Sequence, residues 1–159
     1  MKTLYRRKKE GKTDYKLRLR LLSSNKTRLV VRRSLKNISA QLINYEPNGD
    51  KTIVSANTRE LVKLGWKSAR RNTPSAYLIG LLIADKAKKK HIAGAILDIG
   101  LLESIKNSLP FAVLKGAIDG GLKIAHSPDN LPDEKRLTGG NIKNFDVETF
   151  NKIKSKFKA

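Results

Sequence analysis

Residues 72–90 read NTPSAYLIGLLIADKAKKK, and this segment predicts the central helix of the protein. Asn72 and Thr73 can cap a helix start, and Pro74 suits the first turn, where its missing N–H is not needed. Residues 76–84 are apolar nearly all the way round, which indicates a buried helix. Lysines fill the last turn, where they complement the negative end of the helix dipole. We therefore expect a buried helix over residues 72–90.

Two further elements follow this helix. Ala93–Ile99 is a short apolar run, which predicts a fully buried strand. After a long helical crossover, such a strand is expected to lie parallel to a neighbour. Phe111–Leu122 predicts an amphipathic helix that ends at Gly120-Gly121.

Three strands are predicted before the central helix. They are Thr27–Ser34, Ile38–Tyr45 and Lys51–Ala56, joined by short connections that include the turn-forming Pro47-Asn48-Gly49-Asp50. Short loops favour an antiparallel meander. A short helix is expected at about Arg59–Leu64.

The fold class is therefore α/β (α+β). We expect a small mixed β-sheet with elements ordered βββαβα, flanked by helices. The 159 residues, 39% of them apolar, fit one globular domain at 27–125. A basic arm with a short helix occupies 1–26, and an irregular C-terminal extension at 126–159 ends in a basic helix, Val147–Lys158.

Charge is the most unusual property of the chain. It has 34 Lys+Arg against 14 Asp+Glu, a formal net charge of +20, and residues 1–36 hold 14 of the basic residues but only 2 acids. Such self-repulsion favours a polyanionic partner, first nucleic acid and second an anionic membrane surface.

The longest apolar run, Leu78–Ala84, is far below the ~20 residues of a membrane span. The absence of cysteine excludes disulfides, zinc knuckles and thiolate catalysis.

The arm itself is predicted to contain a helix from Asp14 to Leu22. Thr13-Asp14 supplies a cap, and Tyr15, Leu19 and Leu22 would share one face. The alternation of leucine and arginine over residues 17–21 would also suit a strand. The cap and the polar break after Leu22 favour the helix.

The arm and first strand carry the candidate RNA-binding residues. Basic side chains bind phosphates and release counterions, and Tyr15 offers a ring for stacking on an unpaired base. The alternatives are a solvated charged face, a nuclear-import signal or the binding surface of a DNA-binding architectural protein. The candidates are Arg6, Arg7, Lys8, Lys9, Lys12, Thr13, Tyr15, Lys16, Arg18, Arg20, Lys26, Arg28, Arg32, Arg33 and Lys36.

A second basic patch lies around Trp66 and adds Lys67, Arg70 and Arg71 to the candidates. Backbone N–H groups at the start of the next helix also attract phosphate. Trp66 either stacks on RNA or, as is more common for such a tryptophan, packs on the core.

Other motifs favour structural roles. Asp98, at the end of a strand, suits a metal-dependent nuclease, but that chemistry needs several carboxylates, and an Asp hydrogen-bonded to a turn is the simpler interpretation. His91 and His126 lack the spacing of a metal pair. The glycine-rich Gly116–Gly121 follows no strand and opens no helix, so a helix end with close backbone approach explains it better than a phosphate loop.

Several motifs together resemble one ribosomal family, over about residues 5–145. The chain is similar to the archaeal and eukaryotic form of the 5S rRNA-binding protein of the large subunit, numbered eighteen in the bacterial count. The matching motifs are Arg6–Tyr15, Arg18–Leu22, Arg28–Arg32, Ala40–Leu42, Gly65–Lys67, Thr73–Leu78, Leu97–Leu101, Lys115–Leu122 and Asp133–Arg136.

The resemblance implies a non-catalytic protein, with no cofactor, metal or small-molecule substrate and no membrane partner. It implies a cytoplasmic location in the ribosome, where the family helps attach 5S rRNA to the central protuberance. Expected partners are 5S rRNA, large-subunit rRNA and neighbouring ribosomal proteins. Ala69-Arg70-Arg71 is more basic than the family pattern, which suggests an extra RNA contact, and the short C-terminal region favours an archaeal-type member.

Overall fold

The computed structural model of the chain describes residues 3–143 and 145–157. The predictions for the arm and the C-terminal extension that fall on residues 1, 2, 144, 158 and 159 lie outside the described residues. The fold class predicted from the sequence, a mixed α/β protein, is confirmed.

The five strands form one mixed sheet in the spatial order β3-β2-β1-β4-β5. The strands β1, β2 and β3 make an antiparallel meander, and β1 and β4 pair in parallel, as do β4 and β5. The predicted meander and the parallel fourth strand are therefore confirmed. The strands are β1 (Arg28–Arg33), β2 (Ile38–Asn44), β3 (Lys51–Asn57), β4 (Gly94–Asp98) and β5 (Lys123–Ile124).

One face of the sheet is mainly apolar. Alternate residues of β1 and β2, such as Leu29, Val31 and Leu42, are completely buried and belong to the core cluster. Arg28, Val30 and Arg32 alternate with them along β1 and therefore point to the opposite face. The arm helix, Tyr15–Leu22, ends shortly before this strand and approaches that second face.

The helices number seven in the described part of the chain. Apart from the first and the sixth, each was predicted within two or three residues of its ends. They are α1 (Arg6–Lys9), α2 (Tyr15–Leu22), α3 (Thr58–Lys63), α4 (Thr73–Lys88), α5 (Leu109–Asp119), α6 (Glu134–Leu137) and α7 (Val147–Phe157).

The central helix α4 starts where the sequence predicted. Asn72 and Ser75 form a reciprocal capping box, in which the Ser75 N–H donates to Asn72 Oδ1 at 2.9 Å and the Asn72 N–H donates to Ser75 Oγ at 3.2 Å. Every residue from Pro74 to Ala84 is buried. The sheet lies on one side of α4, and α5 and α7 pack on its other sides.

Two glycines let the backbones of α4 and α5 touch. A Cβ placed on Gly80 would lie 2.2 Å from the Val113 carbonyl oxygen, and one on Gly116 would lie 2.1 Å from the Tyr77 carbonyl oxygen. The close backbone approach expected for the glycine-rich Gly116–Gly121 is confirmed, and Gly120 follows the end of α5.

The C-terminal helix packs on the core. Phe150 and Ile153 of α7 are fully buried, and the Phe150 ring lies 6.1 Å from that of Tyr77 on α4. Over residues 126–143 the chain is mainly irregular, as predicted, with a short 3₁₀ turn and the four-residue helix α6.

Some details differ from the prediction. Neither α1 nor β5 was expected, because four basic residues and a two-residue strand leave no periodic pattern. The fourth strand is also not fully buried: Ile96 and Leu97 are half-buried, since only the two-residue β5 pairs with β4 on its outer side.

No helix in residues 3–143 and 145–157 is long and apolar enough to cross a lipid bilayer.

We predict that Gly116→Ala lowers the free energy of unfolding by about 1–3 kcal/mol, because the added methyl group forces α4 and α5 apart. Helix propensity alone would change stability by roughly 1 kcal/mol in the opposite direction. Urea denaturation followed by circular dichroism measures the difference. A stabilised variant would show that the helices do not touch here.

Candidate nucleic-acid interface

The basic arm has a defined local structure. The Glu10 carboxylate accepts hydrogen bonds from Arg6 Nε and Lys12 Nζ, each at 2.8 Å. These contacts hold α1 against the turn that follows it. These two hydrogen bonds, with Lys12 the stronger influence, hold the pKa of the Glu10 carboxyl below its ordinary value. Gly11 turns the chain with a positive φ of 61°.

The helix α2 is capped as predicted. Asp14 Oδ1 accepts the backbone N–H of Lys16 at 2.9 Å and of Leu17 at 3.2 Å. Arg7 Nε donates to Thr13 Oγ1 at 2.9 Å, so α1 is tied to the start of α2. The rings of Tyr5 and Tyr15 lie 5.0 Å apart. The predicted apolar face was partly wrong, since Leu19 is 70% exposed while Leu17 and Leu21 are half-buried.

An ion pair links α2 to the body. Arg18 Nη2 lies 2.9 Å from Asp50 Oδ1 and 3.0 Å from Asp50 Oδ2, and both side chains are about 30% exposed. Asp50 also accepts Arg28 Nη2 at 2.8 Å. Burial alone would raise the pKa of the Asp50 carboxyl, but the hydrogen bonds from Arg28 and Arg18 outweigh it, and the net pKa is lowered.

Arg28 forms a buried ion pair under the arm. Its side chain is only 3% exposed, and Nη1 lies 2.9 Å from Oδ2 of Asp98, which is 7% exposed. The expectation that Arg28 contacts RNA does not fit this position, because both arms of its guanidinium bind carboxylates inside the protein. Arg28 therefore holds β1, β4 and the turn before β3 together.

Asp98 has the structural role that the sequence favoured. Its Oδ1 accepts the N–H of Gly100 at 2.9 Å in the turn after β4, and Arg32 Nη2 at 3.0 Å. Its Oδ2 accepts Arg28 Nη1. Both oxygens of Asp98 are thus engaged by the protein itself. Among residues 3–143 and 145–157, no three His, Cys, Asp or Glu side chains cluster as metal ligands.

A polar cleft of about 490 Å³ lies between the arm and this network. Arg7, Lys12 and Arg18 line it from the arm side, and Arg32 lines it from β1. Arg32 is half-exposed although it also binds Asp98. Thr13 and Tyr15 also line the cleft, together with Asp14, Asp50 and Asp98, so basic and acidic side chains of the arm and the body meet there.

The second patch lies at the other end of β1. Trp66 belongs to the core: it is 3% exposed, its Nε1–H donates to the Ala69 carbonyl at 3.2 Å, and its ring lies 5.8 Å from that of Phe145. The stacking alternative for Trp66 is therefore wrong. Around it, Lys67, Arg70 and Arg71 share a surface depression with Lys36 of the β1–β2 turn.

Arg59 was missed by the sequence reasoning. It lies on α3, and its side chain joins Arg32 and Arg33 around a depression beside the β1–β2 turn. Arg59 is an isolated basic residue in the sequence. It comes close to Arg32 and Arg33 because β3, which leads directly into α3, pairs with β2.

Acidic partners are unevenly distributed over the candidate residues. Arg6, Lys12, Arg18, Arg28 and Arg32 form ion pairs with carboxylates. The other basic candidates form no ion pair with a carboxylate of residues 3–143 or 145–157. They are Arg7, Lys8, Lys9, Lys16, Arg20, Lys26, Arg33, Lys36, Lys67, Arg70 and Arg71, and all but the half-buried Arg70 are exposed.

A mixed α/β body whose basic arm exposes several cations without carboxylate partners in the described part of the chain suits an RNA-binding component of a ribonucleoprotein. The comparison with known families identifies that component. A family model described as "Ribosomal large subunit proteins 60S L5, and 50S L18" matches residues 1–94 and 85–127. The chain belongs to this family, as its motifs predicted, and is a large-subunit ribosomal protein, located in the cytoplasm within the ribosome.

We predict that Asp98→Ala costs about 3–5 kcal/mol of stability, because it leaves the Arg28 guanidinium buried beside one carboxylate instead of two. Urea unfolding measures this loss. Asp129→Ala is the control, since Asp129 is exposed and forms no ion pair in the described part of the chain, and it should change stability by no more than about 0.5 kcal/mol. Equal effects of the two substitutions would contradict the structural role of Asp98.

We also predict a pH dependence from Asp50. Because its folded pKa lies below its ordinary value of 3.8, its carboxylate contributes stability that is fully present above that value and is lost as the pH falls through the folded pKa. Asp50→Asn should therefore be less stable than the unaltered protein at pH 6, and the difference should shrink below about pH 4. A difference that stays constant down to pH 2 would rule out this linkage.

Proposed function

We propose that this protein binds 5S rRNA and helps attach it to the central protuberance of the large subunit. The observation that carries the proposal is a set of exposed cations on the arm and β1 that form no ion pair with a carboxylate in the described part of the chain. They are Arg7, Lys8, Lys9, Lys16, Arg20, Lys26 and Arg33, and of these Arg7 also lines the polar cleft. Family membership supports the same function, because the family consists of large-subunit ribosomal proteins.

The arrangement fits recognition of an RNA backbone. Arg7, Lys8, Lys9, Lys16 and Arg20 lie on two short helices that extend from the body, so they can follow phosphates along a groove. The paired rings of Tyr5 and Tyr15 add an aromatic surface for an unpaired base or a ribose. Base contacts are then confined to loops and bulges, and most of the affinity comes from phosphates.

We expect strong salt dependence. If roughly 6–10 phosphates are neutralised, affinity for 5S rRNA falls about 10³–10⁵-fold between 50 and 200 mM salt. A gel-shift titration at several salt concentrations measures the salt slope, which is the slope of the logarithm of affinity against the logarithm of salt concentration. Duplex DNA serves as the competitor at matched salt. A flat response, or equal binding of duplex DNA, would contradict the proposal.

The arm lysines provide a sharper test. The variant Lys8→Gln/Lys9→Gln/Lys16→Gln should lower the salt slope by about one per phosphate contact removed. Its control, Lys88→Gln/Lys90→Gln/Lys123→Gln, removes the same charge near the C-terminal end of α4 and should leave the slope nearly unchanged. Equal effects would mean that only net charge matters.

Deletion of residues 1–22 should abolish most RNA binding yet leave the sheet and α4 folded, because no residue of α1 or α2 is fully buried. Thermal melting by circular dichroism is the measurement for the fold. Collapse of the melting transition would show instead that the arm is part of the core.

A further inference from the structure

Leu35 is the most exposed of the large apolar side chains that the structure describes, at 88%. It lies at the tip of the turn between β1 and β2. The turn is closed by hydrogen bonds in both directions: the Ser34 N–H donates to the Asn37 carbonyl at 2.8 Å, and the Asn37 N–H donates to Ser34 Oγ at 3.0 Å. Leu35 is therefore held out in solvent by a well-bonded turn.

Four cations surround this leucine. Lys36, Lys67, Arg70 and Arg71 line, together with Leu35, a depression of about 350 Å³, and Arg71 Nη1 donates to the Leu35 carbonyl at 3.4 Å. We call these five residues the turn surface. None of its cations is within ion-pair distance of an acid in residues 3–143 and 145–157.

One carboxylate lies in the neighbourhood without neutralising the turn surface. The pKa of Asp146 is lowered chiefly by hydrogen bonds from Thr149, and the charge of Lys67 adds to this effect. Asp146 makes no ion pair with Lys67, since its oxygens accept the hydroxyl and backbone N–H of Thr149. The four cations of the turn surface thus outnumber this one neighbouring carboxylate.

This combination suits one kind of partner. The rest of the depression is formed by the small residues Ser68 and Ala69, so it offers little apolar area to a protein chain. A single leucine is enough to pack on the face of an unpaired base or to wedge beside it, as apolar side chains do in nucleic-acid complexes. The four cations match the phosphates on either side of such a base.

We propose that the turn surface is a second RNA-contact site, in which Leu35 packs against an unpaired base while its four cations bind the flanking phosphates. The proposal rests on the RNA-binding function proposed above and deepens it. The site is separate from the arm. Arg28, which helps to anchor the arm through Asp50, is the first residue of β1, whereas the turn surface follows the last residue of that strand. The six extended residues of β1 span about 20 Å between the two sites. The two sites therefore contact different nucleotides.

Salt dependence separates the apolar contact from the ionic one. With the full chain and a 5S rRNA transcript, Leu35→Ala should weaken binding about tenfold at every salt concentration with the slope unchanged, because no charge is lost. Arg70→Gln/Arg71→Gln should lower the slope by about two. Leu35→Met should restore most of the affinity lost in Leu35→Ala.

Two controls match these variants. Ile105→Ala shortens another exposed apolar side chain, 58% exposed in a loop beside Glu103, and should leave affinity unchanged. Lys88→Gln/Lys90→Gln removes two charges at the opposite end of α4, about 24 Å from Arg71 along a 16-residue helix, and should leave the slope nearly unchanged.

The position of the site can be mapped directly because the chain has no cysteine. An iron chelate attached at Ser68→Cys should cleave 5S rRNA near an unpaired nucleotide. The same chelate at Tyr5→Cys in the arm should cleave a different segment.

Failure of this proposal is distinguishable from failure of the proposed function. If Leu35→Ala binds as tightly as the unaltered chain while the arm-lysine variant binds weakly, the turn surface is not a contact and RNA binding stands. If the two double charge variants lower the slope equally, the turn surface contributes net charge only, and the proposal is overturned. If the unaltered chain binds 5S rRNA without salt dependence, the proposed function itself fails.

Discussion

The guanidinium of Arg28 connects parts of the molecule that are distant in sequence. It lies on the central region of the sheet, pairs with Asp98 at the end of β4, and pairs with Asp50 in the turn before β3. A charge removed from water costs several kcal/mol unless it is matched at close range, so the three segments must meet in one arrangement. The arm depends on the same group, because its anchor Arg18 binds the carboxylate that Arg28 holds in place. The geometry of the face that carries the candidate interface depends on this buried cation.

The few acids of this basic chain are used mainly within the body. Glu60 pairs with Lys86, Asp85 with Lys89, and Asp119 with Lys115, all on or beside the helices that cover the sheet. Such pairs reduce the self-repulsion of a chain with a net charge of +20 where it must be compact. The arm and the turn surface have fewer acids, so the remaining positive potential is concentrated there. The high density of lysine and arginine, together with the scarcity of carboxylates, therefore shapes the candidate interface.

Local patterns in the sequence predicted most of the fold. The cap at Asn72 and the apolar run after it locate α4, and the crossover length predicts that β4 lies parallel to a neighbour. The structure shows that β4 is parallel to β1 on one side and to β5 on the other. Arg28 shows why the site was harder to predict. In sequence it is one more cation of a basic strand, and its partner Asp98 lies 70 residues away. Strand alternation puts Arg28 and Arg32 on the same face, yet only tertiary packing makes the first a buried ion-pair partner and leaves the second at the edge of the cleft.

The attachment of the arm is weak compared with the network that it rests on. The ion pair between Arg18 and Asp50 is partly exposed to water, and pairs of this kind contribute about 1 kcal/mol or less. A phosphate that approached Arg18 would compete with Asp50 for the same guanidinium. Asp50 would still bind Arg28 after that exchange, so no buried charge would lose its partner. The sheet can therefore keep its structure while α2 changes its partner from a carboxylate to a phosphate, which is the property that an arm settling on an RNA backbone requires.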